Sequence, residues 1–211
     1  MLIPVLGVFL MIKGDEILNM IAAALGGRTD LVTLLLCAVL MLLSTMNDIA
    51  VPSVSLEGKG LWILQSLSVE AKTVLRAKTA MHLLLTVIPL LFSEICAAIV
   101  WQAPLAEKLL LFVVPLVFAI FMALFGSFLG VWHATTEWTT EIIPLKQSAA
   151  VTIALFGGWG FVALFALPYF LLGSLTGIAP YLIAWAVVFA AASVPLYRWL
   201  MTKGAETFSR L

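Results

Sequence analysis

Charged residues are scarce in this chain: only 10% of its 211 residues are Asp, Glu, Lys or Arg, whereas a soluble domain has about 25%. Acidic and basic residues balance at eleven each, so no basic excess indicates a nucleic-acid partner. There are only two cysteines, and Cys37 and Cys96 both lie inside apolar runs. We therefore expect small core residues rather than a disulfide framework or a cysteine metal site.

What the chain has in abundance is apolar side chains, at 64% of residues with a mean hydropathy of +1.18. A soluble fold of this size could not cover so much apolar surface, so we predict an integral membrane protein. A membrane-spanning helix needs about 20 mostly apolar residues. Five runs meet this length, namely Leu31–Val51, Ala80–Trp101, Leu109–Val131, Ala149–Gly173 and Ile178–Leu200.

These runs predict an all-α, polytopic transmembrane helix bundle that forms one domain over residues 1–211, because lipid cannot satisfy an irregular backbone. The N-terminal stretches Leu2–Ile12 and Ile17–Leu25 are each too short to span, and charged residues separate them. They can form a kinked or interfacial pair of helices. Alternatively, residue 1 lies inside a bundle whose earlier part is missing from this chain. The sequence thus predicts five to six spans.

The distribution of Lys and Arg predicts the orientation of the chain in the membrane. Eight of the eleven lie in the loop 52–79, the loop 132–148 and the C-terminal end. The other three, Lys13, Arg28 and Lys108, fall on the opposite side. We therefore expect the 52–79 loop and the C terminus to face the cytoplasm of a cell membrane.

The 52–79 loop is long and carries an apolar block with Trp62 beside polar residues. One interpretation is an interfacial helix on the membrane surface with Trp62 at the headgroups. The other is a short docking helix for a soluble partner, with apolar side chains for packing and charges for register. A second short helix is predicted from Glu70 to Lys78, with Ser68 as its N-cap.

The sequence of this loop resembles the first cytoplasmic loop of type-2 ABC-transporter permeases, in particular an exporter branch of that family. The residues that carry the resemblance are Glu57, Gly58, Lys59, Trp62, Leu64, Ser66 and Leu67, followed by Lys72 and Lys78. The family segment is a coupling helix that binds in a groove of a cytoplasmic ATPase. Ser68 stands where the family usually has Pro, which implies a less rigid turn after the helix.

A second patch, in the loop 132–148, is similar to a stretch between later spans of the same branch. It contains Glu137, Trp138, Glu141, Lys146 and Gln147. The two patches and the span pattern extend the resemblance over residues from about 30 to 165. Members of this branch are often longer, with two related membrane halves, so this chain resembles a C-terminal half or a shortened relative.

The resemblance implies the permease subunit of an ABC-type exporter in a bacterial inner membrane. ATP and Mg would be bound by a separate cytoplasmic ABC ATPase, and this chain would bind no cofactor and would not itself be an enzyme. A second permease copy or the missing N-terminal half would complete the pathway. Gly58-Lys59-Gly60 is not a phosphate loop, because Ser53 replaces the required glycine and Lys59 precedes Gly rather than Ser or Thr.

Two other classes of function stay open. His133, Glu137 and Glu141 recur every four residues and would offer metal ligands to an intramembrane enzyme if this stretch were helical. The threonines between them disfavour a helix, so no metal site is predicted. The other class is a non-transporting membrane assembly or immunity protein on the same scaffold.

Polar residues inside the apolar runs are further candidates. Glu94 is the only acidic residue deep in such a run, and an intramembrane carboxylate indicates function by default. One interpretation is a pathway or substrate role. The other is a position near the outer end of its span, within reach of water, that needs no such role. His82 is expected at the interface. Asn47 and Asp48 are expected to cap their helix or to bond to the coupling segment.

Overall fold

The computed structural model describes residues 2–60, 69–134 and 148–210, apart from the side chains of Lys59 and residues 172–176. In these ranges the chain is helical and contains no strand, which confirms an all-α helical membrane bundle. The long helices are α1 (Ile3–Ala24), α2 (Thr29–Thr45), α3 (Ala71–Val100), α4 (Leu105–Trp132), α5 (Ala149–Thr176) and α6 (Ile178–Trp199). A π-helical turn, Leu200–Gly204, joins α6 to the short α7 (Ala205–Phe208).

Four of the described helices are long and apolar enough to cross a bilayer: α3, α4, α5 and the continuous stretch from Ile178 to Phe208. Their runs were predicted from hydropathy, and the helices are longer than those runs, most of all α3 and the stretch that ends at Phe208. In particular, α3 contains both the short helix predicted from Glu70 to Lys78 and the span that follows it. The prediction of two separate helices was wrong, because nothing at residues 78–80 breaks the helix.

The N-terminal residues form one uninterrupted helix, α1, rather than a pair of short helices. Its buried positions Ile3, Gly7, Leu10, Gly14 and Leu18 follow a three- and four-residue spacing and face the bundle. The charged residues that separate its apolar halves are all exposed on the other face. Glycine lets α1 approach α3 closely, since a Cβ at Gly14 would lie 2.6 Å from a methyl carbon of Val100.

The run predicted as a span over Leu31–Val51 is a helix only as far as Thr45. Beyond it, residues 46–54 form an irregular segment of turns and coil that continues along the inside of the bundle. Ala50, Val51 and Val54 in this segment are almost fully buried. The prediction of one helix over the whole run was therefore wrong: after α2 the polar groups of the chain bond to α3 instead of continuing the helical ladder.

The irregular segment packs on the small-residue face of α4 that the sequence shows as Gly126-x-x-x-Gly130. A Cβ at Gly130 would lie 2.5 Å from the Val51 carbonyl oxygen, and one at Gly126 would lie 3.1 Å from a Val51 methyl carbon. In membrane bundles such faces commonly receive another helix. Here the face receives irregular backbone.

The bundle has two chemically different ends. The end at which α3 begins and α7 lies carries most of the described Lys and Arg residues, and we call it the basic end; its cations include Lys72, Arg76, Lys78, Arg198, Lys203 and Arg210. At the opposite end α2, α4 and α6 begin and α3 ends. One continuous apolar core, with Phe118, Phe165 and Tyr169 among its fully buried side chains, joins α1 to α6.

Candidate functional site

At the basic end, Lys78 of α3 binds two parts of the chain that precedes residues 61–68. Its Nζ forms a partly buried ion pair with Glu57 and donates a hydrogen bond to the Ser53 carbonyl oxygen at 2.7 Å. The two charged side chains are only 17% and 23% exposed, so solvent screens the pair less than a surface pair. Lys78 therefore fixes the short 3₁₀ segment Ser55–Gly60 against α3.

The chain turns sharply at Gly58, directly after the residue that Lys78 binds. Gly58 has φ +46° and ψ −126°, a conformation that only glycine adopts readily. The other predicted coupling residues, Trp62, Leu64, Ser66 and Leu67, lie outside the described residues. The prediction of Ser68 as an N-cap was wrong, because α3 begins at Ala71 and its N-cap is Glu70. Lys59 is described only by its backbone, which belongs to the 3₁₀ segment.

Deeper in the bundle, a row of polar side chains on α3 accepts hydrogen bonds from the irregular segment. His82 is 2% exposed and its Nδ1 accepts a hydrogen bond of 3.3 Å from the Ala50 backbone N–H. Thr86 accepts one of 2.7 Å from the Asn47 side-chain amide. His82 is therefore a buried acceptor, and its prediction as an interfacial residue was wrong, because irregular backbone covers it.

The same row reaches α4 through a bond between hydroxyl groups. The Thr79 and Ser127 hydroxyl oxygens lie 2.8 Å apart, so one hydroxyl donates to the other. The accepting hydroxyl is then free to donate to the backbone carbonyl four residues earlier in its own helix. Lys78, His82 and Thr86 recur every four residues on α3. That spacing was visible in the sequence as a polar face inside an apolar helix, and it is the signal that could have located this contact.

Two cavities flank the point where α2 ends. The first, about 340 Å³, is lined by Asp48, Ile49, Pro52, Leu56, Val151 and Leu155, together with Met46 and Asn47. The second, about 300 Å³, shares Met46 and Asn47 and extends between α1, α2 and α3. The Asp48 Oδ2 atom is buried and has no hydrogen-bond partner.

The expected roles of Asn47 and Asp48 need correction. The Asn47 side-chain amide is bound to Thr86 of α3 and does not cap α2. Its backbone N–H, however, donates to the Ser44 carbonyl oxygen in the last turn of α2 at 3.2 Å. The Asp48 Oδ2 atom makes no capping bond. The last carbonyl groups of α2 accept hydrogen bonds from the backbone N–H groups of Met46 and Asn47 and from the hydroxyls of Ser44 and Thr45.

Glu94 lies in the interior of the bundle. It is 0% exposed, and neither carboxyl oxygen has a hydrogen-bond partner. We expected this side chain to reach water, and that expectation was wrong: the core residues Leu90 and Ala97 on the same face are also fully buried. A carboxyl group in such surroundings is costly, and the core packing provides no structural need for it.

The opposite end is closed by two polar clusters. Trp101 Nε1 donates to the Thr33 hydroxyl at 3.0 Å, which in turn donates to Glu107 at 2.7 Å. Arg28 and the Tyr169 hydroxyl both donate to Asp30, at 2.8 and 2.9 Å. The bond to Asp30 raises the pKa of the exposed Arg28 guanidinium above its ordinary value.

Only the Arg28–Asp30 pair is local in the sequence; the other partners in these two clusters are 68 to 139 residues apart, so no local signal could have revealed them. The second cytoplasmic patch, Glu137, Trp138, Glu141, Lys146 and Gln147, lies outside the described residues. So do two of the three ligands of the alternative metal site, whose remaining member is His133. Within the described ranges, no group of three or more His, Cys, Asp or Glu could hold a metal ion. Both cysteines are free and buried, as predicted.

Comparison with models of protein families, with curated proteins and with solved structures finds no match to this chain.

Proposed function

We propose that this chain is the membrane-spanning permease subunit of an ABC-type exporter, driven by ATP hydrolysis in a separate cytoplasmic ATPase. The observation that carries the proposal is the attachment of the chain on both sides of residues 61–68. Before them, Glu57 and Ser53 are bound by Lys78. After them, α3 begins at Ala71 and includes Lys78 itself.

This attachment supplies what a coupling element requires, namely a stiff connection to the membrane helices. Movement imposed on residues 61–68 would reach α3 through Lys78, and α4 through the tight contact between Val51 and Gly130. An interfacial helix that only rests on the membrane needs no such connection. The proposal therefore favours docking over surface anchoring.

In this function, Trp62, Leu64 and Leu67 are the packing anchors for the ATPase, with Ser66 beside them. Glu57 and Lys59 set the charged register, and Gly58 provides the turn that leads into the coupling segment. The second cytoplasmic patch, from Glu137 to Gln147, contributes to the same docking surface. ATP and Mg are bound by the ATPase subunit, and a second permease chain or half completes the pathway.

The interruption of α2 is a second support for transport. Transport proteins often contain helices that are broken inside the membrane, and irregular backbone at that depth is tolerated only where protein or a cavity surrounds it. The irregular segment meets this condition, because its buried residues pack on α3 and α4 and two cavities lie beside it. The charge bias favours a cytoplasmic location for the basic end, where an ATPase would be available.

The test is co-purification of the tagged chain from its native membranes in mild detergent, with an ATPase assay on the eluate. We expect recovery of an ATP-hydrolysing subunit, and its loss with Trp62→Asp, because a carboxylate at a packing anchor leaves a charge buried in the interface. Trp62→Phe is the matched control and should retain the ATPase.

Equal recovery of the ATPase with Trp62→Asp and with the wild-type chain would contradict the coupling assignment. The wild-type and Trp62→Asp chains should first be shown to be present in the membrane in equal amounts. If neither then co-purifies with ATPase activity, the permease function itself is contradicted. A bound ATPase whose turnover the chain does not stimulate would favour the non-transporting assembly protein.

A further inference from the structure

The end of α2 places a carboxylate inside the membrane region and beside a cavity. Counted from Trp101, a rise of 1.5 Å per residue puts Thr86 about 22 Å along α3, within a hydrocarbon layer of about 30 Å. Asn47 is bonded to Thr86, and Asp48 is its neighbour in the chain. With Trp101 taken as the membrane boundary, Asp48 therefore lies at membrane depth.

Among the described residues, the carboxylate of Asp48 has no ion-pair or hydrogen-bonding partner. Its Oδ2 atom is buried and unbonded. The nearby cation Lys78 is bound to Glu57, and His82 is occupied by the Ala50 N–H. The carbonyl end of α2 adds a further negative partial charge at the same place. The site thus has negative charge in excess.

Apart from Asn47, the other residues that line the cavity are apolar. Ile49, Pro52 and Leu56 line it from the irregular segment and the 3₁₀ segment, and Val151 and Leu155 line it from α5. Its volume of about 340 Å³ is within the range of pockets that hold small organic ligands. An ion of low charge density with an apolar body suits such a cavity better than a hydrated metal ion.

From this combination we infer that the cavity beside Asp48 binds lipophilic organic cations, and that such cations are the cargo. The inference of cargo rests on the proposed export function, whereas the binding site stands on the cavity and the unpaired carboxylate. The buried Glu94, which also lacks a partner, supports the same charge preference further along the bundle. No cation without a partner lies in the core of the described helices to favour an anion.

The experiment is equilibrium binding of radiolabelled tetraphenylphosphonium to the purified chain in detergent, without ATPase. We expect saturable binding that Asp48→Asn weakens at least tenfold, because the cation loses its close opposite charge. Asp48→Glu should retain most of the affinity. Asp15→Asn, which removes an exposed carboxylate of α1, should leave the affinity unchanged. The isosteric anion tetraphenylborate should not compete.

A second variant guards against misfolding of Asp48→Asn. Leu155→Trp fills the cavity from α5 and keeps the carboxylate, so it should also abolish binding. Unchanged affinity in either variant, equal competition by tetraphenylborate, or no saturable binding to the wild-type chain would overturn the inference. Because the assay contains no ATPase, a failed ATPase co-purification with intact tetraphenylphosphonium binding would refute the coupling function and leave the site in place.

Discussion

Lys78 joins three parts of the chain through a single ammonium group. It is bound to a carboxylate and to a backbone carbonyl, and little of it reaches solvent. Lysine suits this position because its ammonium offers three donors on a flexible stem. The residue therefore determines how firmly the chain before the coupling segment is held on α3.

We predict that Lys78→Met lowers the free energy of unfolding by about 2 kcal/mol, since a charged hydrogen bond in a protein is worth about 1.5–3 kcal/mol. The midpoint of thermal unfolding in detergent measures this change. Lys72→Met, at an exposed position on the same helix, is the control and should leave the midpoint unchanged. If the double variant Lys78→Met, Glu57→Gln regains part of the lost stability, the ion pair is the source of the loss in Lys78→Met. A Lys78→Met midpoint equal to wild type would show that the pair contributes nothing.

Glu94 presents the reverse case, a residue that the fold does not need. Replacing it with Leu removes a buried carboxyl group without a partner, so we predict that Glu94→Leu raises the free energy of unfolding by about 1–3 kcal/mol. The same variant should lose transport or transport-stimulated ATP hydrolysis, because functional residues are often retained at a cost to the stability of the fold. Thermal unfolding and the ATPase assay are measured on the same preparation. A lower midpoint would reveal a structural partner for Glu94 instead.

At the scale of elements, the apolar runs located the helices well but not the point where α2 ends. A hydropathy run measures only whether lipid tolerates the side chains, and Leu31–Val51 is apolar except for Thr33 and the pairs Ser44-Thr45 and Asn47-Asp48. The helix ends because Asn47 and the Ala50 N–H find partners on α3, 39 and 32 residues later. No window of local sequence contains those partners.

The contact between α4 and the irregular segment leads to a prediction about two glycines. Gly130→Ala would place a methyl group 2.5 Å from the Val51 backbone oxygen, so we expect a loss of about 1–3 kcal/mol of stability from overpacking. Gly160→Ala on α5 is the matched control, since its Cβ would meet nothing within 4 Å. It should be neutral or stabilising by about 0.5–1 kcal/mol. Equal unfolding midpoints for the two variants would contradict the described contact.

At the scale of the whole molecule, the sequence predicted which class of structure forms but not which distant groups meet. The α-helical bundle followed from composition and from the inability of lipid to bond to backbone. The candidate site and the opposite end of the bundle are instead held by contacts between residues distant in the sequence, such as Glu57 with Lys78 and Asp30 with Tyr169. Such pairs depend on the packing of the helices. The sequence signal that could have located part of the site is the four-residue spacing of the polar residues Lys78, His82 and Thr86 on α3.

The orientation of the whole molecule gives a prediction that is independent of its partners. The basic end should face the cytoplasm, so a membrane-impermeant maleimide should label Glu206→Cys only in inverted vesicles. It should label Asp15→Cys only in right-side-out vesicles or cells. The native Cys37 and Cys96 are both buried and should give no background, which the unsubstituted chain controls. If Glu206→Cys were labelled only in right-side-out vesicles and Asp15→Cys only in inverted ones, the orientation would be opposite to the predicted one. The coupling segment could then not contact a cytoplasmic ATPase.

The irregular segment also has a consequence for how the protein enters the membrane. The helical part of α2 carries its own backbone hydrogen bonds into lipid, but residues 46–54 rely on side chains of α3 and on the glycine face of α4. Exposed alone to hydrocarbon, each of their unbonded polar groups would cost several kcal/mol. We therefore expect residues 46–54 to stay at the membrane boundary during synthesis until α3 and α4 have been inserted into the bilayer. The three elements are inserted as one unit, and a nascent chain that stops before Trp132 would not retain residues 46–54 in the bilayer.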